Sequence, residues 1–249
     1  MKATYRIFAL LLCALVLCGC SSPAASVPAT EAQAQKDSVK ATEAPTEAPT
    51  EAPKVTVEGS ALGQYDGTTY TNGYMGVSAT FGDGWTYYTA DQLQEIPAAI
   101  EEMITDTELG DNLEANGGLA SITTMMCENV DELITVNVVY QKLSLSERLL
   151  YATMGSKELT DLLLDQKDSM IEAYKAMGME VSAMEAVEVT FLGKTCSALR
   201  TAAQIQGIDY YFVQVYDFNL GGSYGAILTA ASYYTDRTQE VLDMFTPLS

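Results

Sequence analysis

Four strand-like stretches lie between Val187 and Tyr234 with almost nothing between them, and this spacing constrains the fold more than any other feature. They are Val187 to Phe191, Thr195 to Ile205, Ile208 to Phe218 and Ser223 to Tyr234, linked at Gly193-Lys194, Gln206-Gly207 and Gly221-Gly222. Parallel neighbours need a long crossover, whereas links this short join antiparallel ones. An antiparallel sheet is therefore predicted. The same pattern opens the domain in TTYTNGYMGVSATF, where Asn72-Gly73 makes a hairpin turn and Val77, Ala79 and Phe81 alternate with Ser78 and Thr80. Phe81-Gly82-Asp83-Gly84-Trp85 then turns the chain into a short strand, Thr86 to Tyr88. Beyond a loop at Gly117-Gly118 two more strands follow, the second alternating through Ile134, Val136, Val138 and Tyr140.

Helical periodicity accounts for the remainder. Residues 90 to 104 place Leu93, Ile96, Ile100, Met103 and Ile104 on one face, with Asp91 as cap. Ser144-Leu145-Ser146-Glu147 fits a capping box that opens a short helix. A longer helix is expected from Ser156 to Met177, with a stripe of Leu159, Leu162, Leu163, Met170, Tyr174 and Met177 and with Gly178 ending it. A last one runs from Asp236 to Phe245. The expected fold class is α+β, an antiparallel β-sheet sandwiched between helices.

The amino-terminal region follows different rules. Lys2 and Arg6 precede an apolar run from Ile7 to Leu17, too short for a bilayer span of ~20 apolar residues. A basic start, a short apolar stretch and small residues after it describe a secretory signal. The run ends Leu17-Cys18-Gly19-Cys20, which resembles the bacterial lipobox. The peptidase that reads this motif cuts after a small residue. Cys13 follows Leu12 and Cys18 follows Leu17, so only Cys20, after Gly19, qualifies for lipidation. Two or three acyl chains there would hold the mature protein on the outer face of a bacterial cell membrane. Next comes TEAPTEAPTEAPK, from Thr42 to Lys54, in which a proline at every fourth residue disfavours helix and biases the chain toward polyproline II. The expected organisation is a lipoprotein signal peptide over 1–19, a lipidated Cys and disordered TEAP-repeat linker over 20–60, and one folded domain over 61–249.

Composition excludes whole classes of chemistry. No histidine occurs among the 249 residues, which rules out Ser-His-Asp and Cys-His machinery and every His-ligated metal site. Only Cys127 and Cys196 remain in the domain, too few for a thiolate metal site. They either pair, as the compartment permits, or act as small hydrophobes in their apolar strands. Loss of Lys2 and Arg6 with the signal leaves 11 basic against 33 acidic residues, a charge of −22. Nucleic acid is not expected as a partner of so acidic a chain.

Three patterns merit weighing as sites. Gly221-Gly222-Ser223-Tyr224-Gly225 matches the nucleophile elbow, but a β-rich run follows where a helix is needed, and the required histidine is missing. A Ser-Lys pair of Ser223 with Lys194 or Lys142 has no supporting motif. The acids from Asp91 to Glu114 lack any interleaved Lys or Arg, and the spacing from Asp106 to Asp111 does not match a calcium loop, so a solvated acidic face is expected. Tyr210, Tyr211, Tyr216, Tyr224, Tyr233 and Tyr234 suit half-buried sheet positions, or a binding surface if two or three are exposed together.

The order of elements, the Phe81-Gly82-Asp83-Gly84-Trp85 turn and the closing Met244-Phe245-Thr246-Pro247 resemble PsbP-like proteins over roughly residues 65–249. The family often has Pro where Asp83 stands. The resemblance implies an αβα sandwich. Trp85 and Phe245 are both expected in the core of the domain. Members with that fold include an extrinsic photosystem subunit and a Ran-binding nuclear import factor, so it implies binding or assembly, with no catalytic residue to carry over. The expectation is therefore a cell-envelope lipoprotein displaying a non-catalytic binding or assembly domain on a flexible stalk. It would use no cofactor or metal, meet the membrane through its lipid anchor, and dock a protein or envelope partner. The alternative is an extracytoplasmic hydrolase using carboxylates or a Ser-Lys pair.

Overall fold

The computed structural model describes residues 63–88, 92–93, 121–218, 220 and 224–248. The lipobox, the linker, Ser223, and all of the expected helix over 90–104 except Gln92 and Leu93 lie outside them, as do the acids from Asp91 to Glu114.

Among the described residues the strands form two antiparallel sheets. The larger contains β4 (Trp85–Tyr87), β5 (Ser121–Asn129), β6 (Ile134–Lys142), β7 (Met179–Phe191), β8 (Lys194–Ile205), β9 (Ile208–Asp217) and β10 (Tyr224–Tyr233), in the order β4-β5-β6-β10-β9-β8-β7. The smaller contains β1 (Gln64–Tyr65), β2 (Thr69–Asn72), β3 (Val77–Thr80) and β11 (Phe245–Pro247), in that order. The helices are α1 (Leu145–Tyr151), α2 (Ser156–Leu164), α3 (Lys167–Ala176) and α4 (Thr238–Leu242).

Strands β7 to β10 form the predicted meander. Leu192-Gly193 and Gln206-Gly207 are its tight turns, and in each both residues have positive φ (54° and 71°, 52° and 78°). Two left-handed residues in succession make a type I′ turn, whose twist matches that of the flanking strands. Lys194 therefore starts β8 opposite Phe191 instead of sitting in the turn. At the small sheet Asn72 is the turn residue expected, but the loop has four residues, closed by backbone N–H groups of Tyr74 and Met75 donating to Asn72 Oδ1 at 3.0 Å each.

Alternation gives the large sheet two buried faces. On one, Leu199, Ala203, Ile205, Tyr210, Phe212 and Ile227 pack with Leu159 and Leu163 of α2 and Met170 and Tyr174 of α3. On the other, Cys127, Val136, Val138, Tyr140, Val213 and Leu228 pack with Tyr70, Val77, Ala79, Phe81, Val241, Leu242 and Phe245. The small sheet and the short α4 therefore cover the second face.

This corrects the expected fold class. Among the described residues the protein is mostly β, with two antiparallel sheets and few helices, and it is not an antiparallel β-sheet sandwiched between helices in the PsbP-like αβα manner. The opening hairpin, read as part of one sheet, pairs with β11 and forms a layer of its own. Phe245, expected at the end of a helix, is the first residue of that strand and is buried, while Trp85 is only half-buried, 5.0 Å ring to ring from Phe81. The long helix divides at Asp165-Gln166, where Gln166 N–H donates to the Leu163 carbonyl three residues back. The break lets α2 lie over β8 while α3 follows β7, to which Lys167 is tied by a 2.9 Å bond to the Met184 carbonyl. Gly178, at φ +80°, ends α3 as expected.

The edge strand β7 carries Glu180, Glu185 and Glu188, and the Gln239 amide bonds both the N–H and the C=O of Thr190. Charge and a capped ladder both discourage another chain from pairing there.

Candidate functional site

The residues singled out in the sequence do not assemble into a catalytic centre among the described residues. Tyr224 opens β10, so a strand follows Gly225 where a nucleophile elbow needs a helix. Lys142 stands opposite Tyr224 in the sheet and is exposed, and Lys194 is exposed at the start of β8. No group of three or more His, Cys, Asp or Glu capable of holding a metal occurs among the described residues. Cys127 and Cys196 are free. They lie on β5 and β8, with β6, β10 and β9 between them. Four strand spacings put them roughly 19 Å apart, far beyond the ~7 Å Cα reach of a disulfide. Burial pushes both thiols up, away from the nucleophilic thiolate. Of the C-terminal tyrosines, Tyr210, Tyr216 and Tyr233 are buried, Tyr211 and Tyr224 half-buried, and only Tyr234 is exposed. Tyr224 opens β10 and Tyr234 lies just past its other end, so these two share no surface.

A different set of residues converges on the helix-bearing face of the large sheet. The register places Gln214 of β9 opposite Thr229 of β10, and Thr229 opposite Asn137 of β6. These three form one row across the centre of the sheet, and all are buried. In the next row Thr201 lies on β8, and Thr135 faces Glu128 across β6 and β5. Gln141 lies further along β6, opposite Gly225. Apolar side chains share the face: Phe212 and Tyr216 flank Gln214 along β9, and Ile227 and Ala231 flank Thr229 along β10.

The row has hydrogen-bonding capacity that the protein does not use. Gln214 Nε2, Thr229 Oγ1, Asn137 Oδ1, Thr201 Oγ1 and Gln141 Oε1, on this face, are buried without a partner among the described residues. Tyr216 O–H donates to Gln214 Oε1 at 3.0 Å, which leaves the amide NH₂ aimed as a donor. Buried polar groups are nearly always paired, because an unpaired one keeps its full desolvation cost. Several such atoms on neighbouring strands leave bonding capacity that a buried water or another small polar group could meet.

The opposite face shows what a closed polar network looks like. There Asn72 Nδ2 donates to the hydroxyls of Tyr70 and Tyr140 at 2.7 Å each, while its Oδ1 holds the turn. Burial pushes the Tyr70 hydroxyl up to about 12, opposed by the Asn72 hydrogen bond. That network ties the small sheet to the large one.

Sequence reasoning placed Val136 and Val138 correctly but left Asn137 and Thr135 on an unexamined face. A signal was present. The runs AILTAAS and YYFVQVY are apolar on both faces, which marks strands buried on both sides, so the Thr and Gln within them had to be buried too. No protein-family model matches the chain, and no curated protein is detectably similar to it.

Proposed function

We propose that this chain is a lipoprotein of a bacterial cell envelope, anchored through Cys20 and carrying a non-catalytic binding domain on a TEAP-repeat stalk. The observation that carries the binding reading is the row Gln214, Thr229 and Asn137, buried with hydrogen-bonding atoms left open. Such a row can hold a ligand but has little to react with. Amides and hydroxyls titrate far from neutrality, and Glu128 is the only buried carboxylate among the described residues. The anchor supplies the membrane contact, and the charge of −22 disfavours nucleic acid. The partner is an envelope or extracellular component brought within reach of the stalk.

The test is a broad binding screen by thermal shift on the mature chain, run beside a panel of hydrolase substrates. Binding without turnover is expected. Turnover abolished by changing Ser223, Lys142 or one carboxylate would establish the competing hydrolase reading instead.

A further inference from the structure

We infer that the chain's own segment 94–120 docks on the large sheet where β5 and β6 present Met126 and Val139, and covers that face. The inference goes beyond the binding reading above and stands whether or not a ligand meets the buried row.

The register puts Met126 and Glu128 of β5 and Thr135, Asn137, Val139 and Gln141 of β6 on the face opposite Cys127, Val136 and Val138. Met126 and Val139 are 0% exposed, and Asn137 and Glu128 are 2% and 3%. Burial that complete needs a layer of atoms above the strands, and the described helices do not provide it. Helices α2 and α3 lie over β7, β8 and β9, α4 packs on the other face, and α1 buries only Tyr151, against Phe218. Met126 and Val139 belong to neither of the two packed clusters. The chain leaves and re-enters the described residues along this same edge. Tyr88 N–H donates to the Met126 carbonyl at 3.0 Å, and the buried Leu93 is the last described residue before 94–120. Ser121 resumes the chain at the other end of β5, opposite Gln141. Met126 and Ser121 are five residues apart on β5, about 17 Å. The 27 residues of 94–120 would span ~40 Å even if wholly helical, ample to cross β5 and β6 and return. The segment also has the chemistry. Ile96, Ile100, Met103 and Ile104 continue from Leu93 at the spacing of one helical face, with Glu95, Glu102 and Asp106 on the other. Docking needs this stripe and not an unbroken helix, which Pro97 would interrupt. The linker offers no aliphatic side chain larger than Val, and it leads into β1, in the layer on the opposite face.

The experiment is peroxide oxidation of the full mature chain in detergent, with each methionine read by mass spectrometry, in the parent and in Ile100→Glu. Met125 is the internal control, because it is also 0% exposed but points to the small-sheet face. Both methionines should resist oxidation in the parent. In Ile100→Glu, Met126 should oxidise ~10-fold faster while Met125 stays protected. Unchanged protection of Met126 would overturn the inference. Where the variant loses both protections through unfolding, NOE contacts in the methyl-labelled parent decide. The Met126 and Val139 methyls should then touch Ile96, Ile100, Met103 or Ile104. Contacts to a second copy in a mixed-label sample, or to no residue of 94–120, would overturn it. Neither result touches ligand binding at the row, which the thermal-shift screen reads.

Discussion

Thr229→Val turns the account of the buried row into a sign. Thr229 is 0% exposed, at the centre of β10, and its hydroxyl has no partner among the described residues. A buried hydroxyl without a bond costs about 1–3 kcal/mol of desolvation. Valine has nearly the same shape and the same β-branched preference for strand, so the substitution opens no cavity and strains no rotamer. The variant should therefore be more stable by about 1 kcal/mol, a rise of roughly 2–4 °C in Tm for a domain of this size. Thr160 provides the matched control. It is equally enclosed (1% exposed), but its hydroxyl donates to the Ser156 carbonyl at 2.8 Å. Thr160→Val should lose about 0.5–1.5 kcal/mol. Chemical denaturation of both variants beside the parent reads the two signs directly. If Thr229→Val destabilises the domain as Thr160→Val does, the Thr229 hydroxyl is already bonded in the resting protein, and the row is a structural water site.

Other perturbations address the anchor, the inter-sheet network and the surface ion pairs. Labelling cells with a palmitate analogue should modify the parent chain and spare Cys20→Ala; a labelled variant would refute the lipobox assignment. Asn72→Leu strands the buried hydroxyls of Tyr70 and Tyr140 and removes the Asx turn, so it should cost about 2–4 kcal/mol in urea denaturation. A change below half of that would mean that the small sheet does not depend on this network. Burial raises the Asp236 carboxyl, but hydrogen bonds from Thr238 and Arg200 outweigh it and hold the group below its ordinary value. Its contribution is thus complete above the ordinary Asp value of ~3.9 and is lost as pH falls through the lower folded value. The stability difference between parent and Asp236→Asn should accordingly shrink on acidification through that window, and a constant difference would contradict the pairing.

How much of this was legible in the sequence depended on how local the determining contacts are. The type I′ turn at Gln206-Gly207, the Ser144–Glu147 capping box and the glycine end at Gly178 are set by neighbours in the chain, and they form where expected. Asp236 stands just before the last helix, its Oδ1 accepting from Thr238 N–H at 3.1 Å, but Arg237 is the N-cap and α4 covers only Thr238–Leu242 of the expected Asp236 to Phe245. The second sheet was not legible, because β11 meets β3 only through contacts across some 168 positions of sequence, such as Thr246 with Ser78. The same non-locality hid the separation of Cys127 from Cys196, which depends on three strands lying between them. The buried row was hidden for another reason. Thr and Asn alternate with Val in β6, a pattern that fits a solvated face as well as a buried one, and only the position of β6 beside β10, inside the sheet, distinguishes the two.

The most direct test is a two-dimensional NMR titration of the mature chain with a ligand returned by the thermal-shift screen, following the side-chain amide signals of Asn137 and Gln214. Both should shift on saturation, and the Gln214 shift should be altered in Thr229→Val. Binding that leaves both amides unmoved while perturbing the exposed Tyr234, or the strand end at Lys142 and Tyr224, would place the site elsewhere and contradict the account.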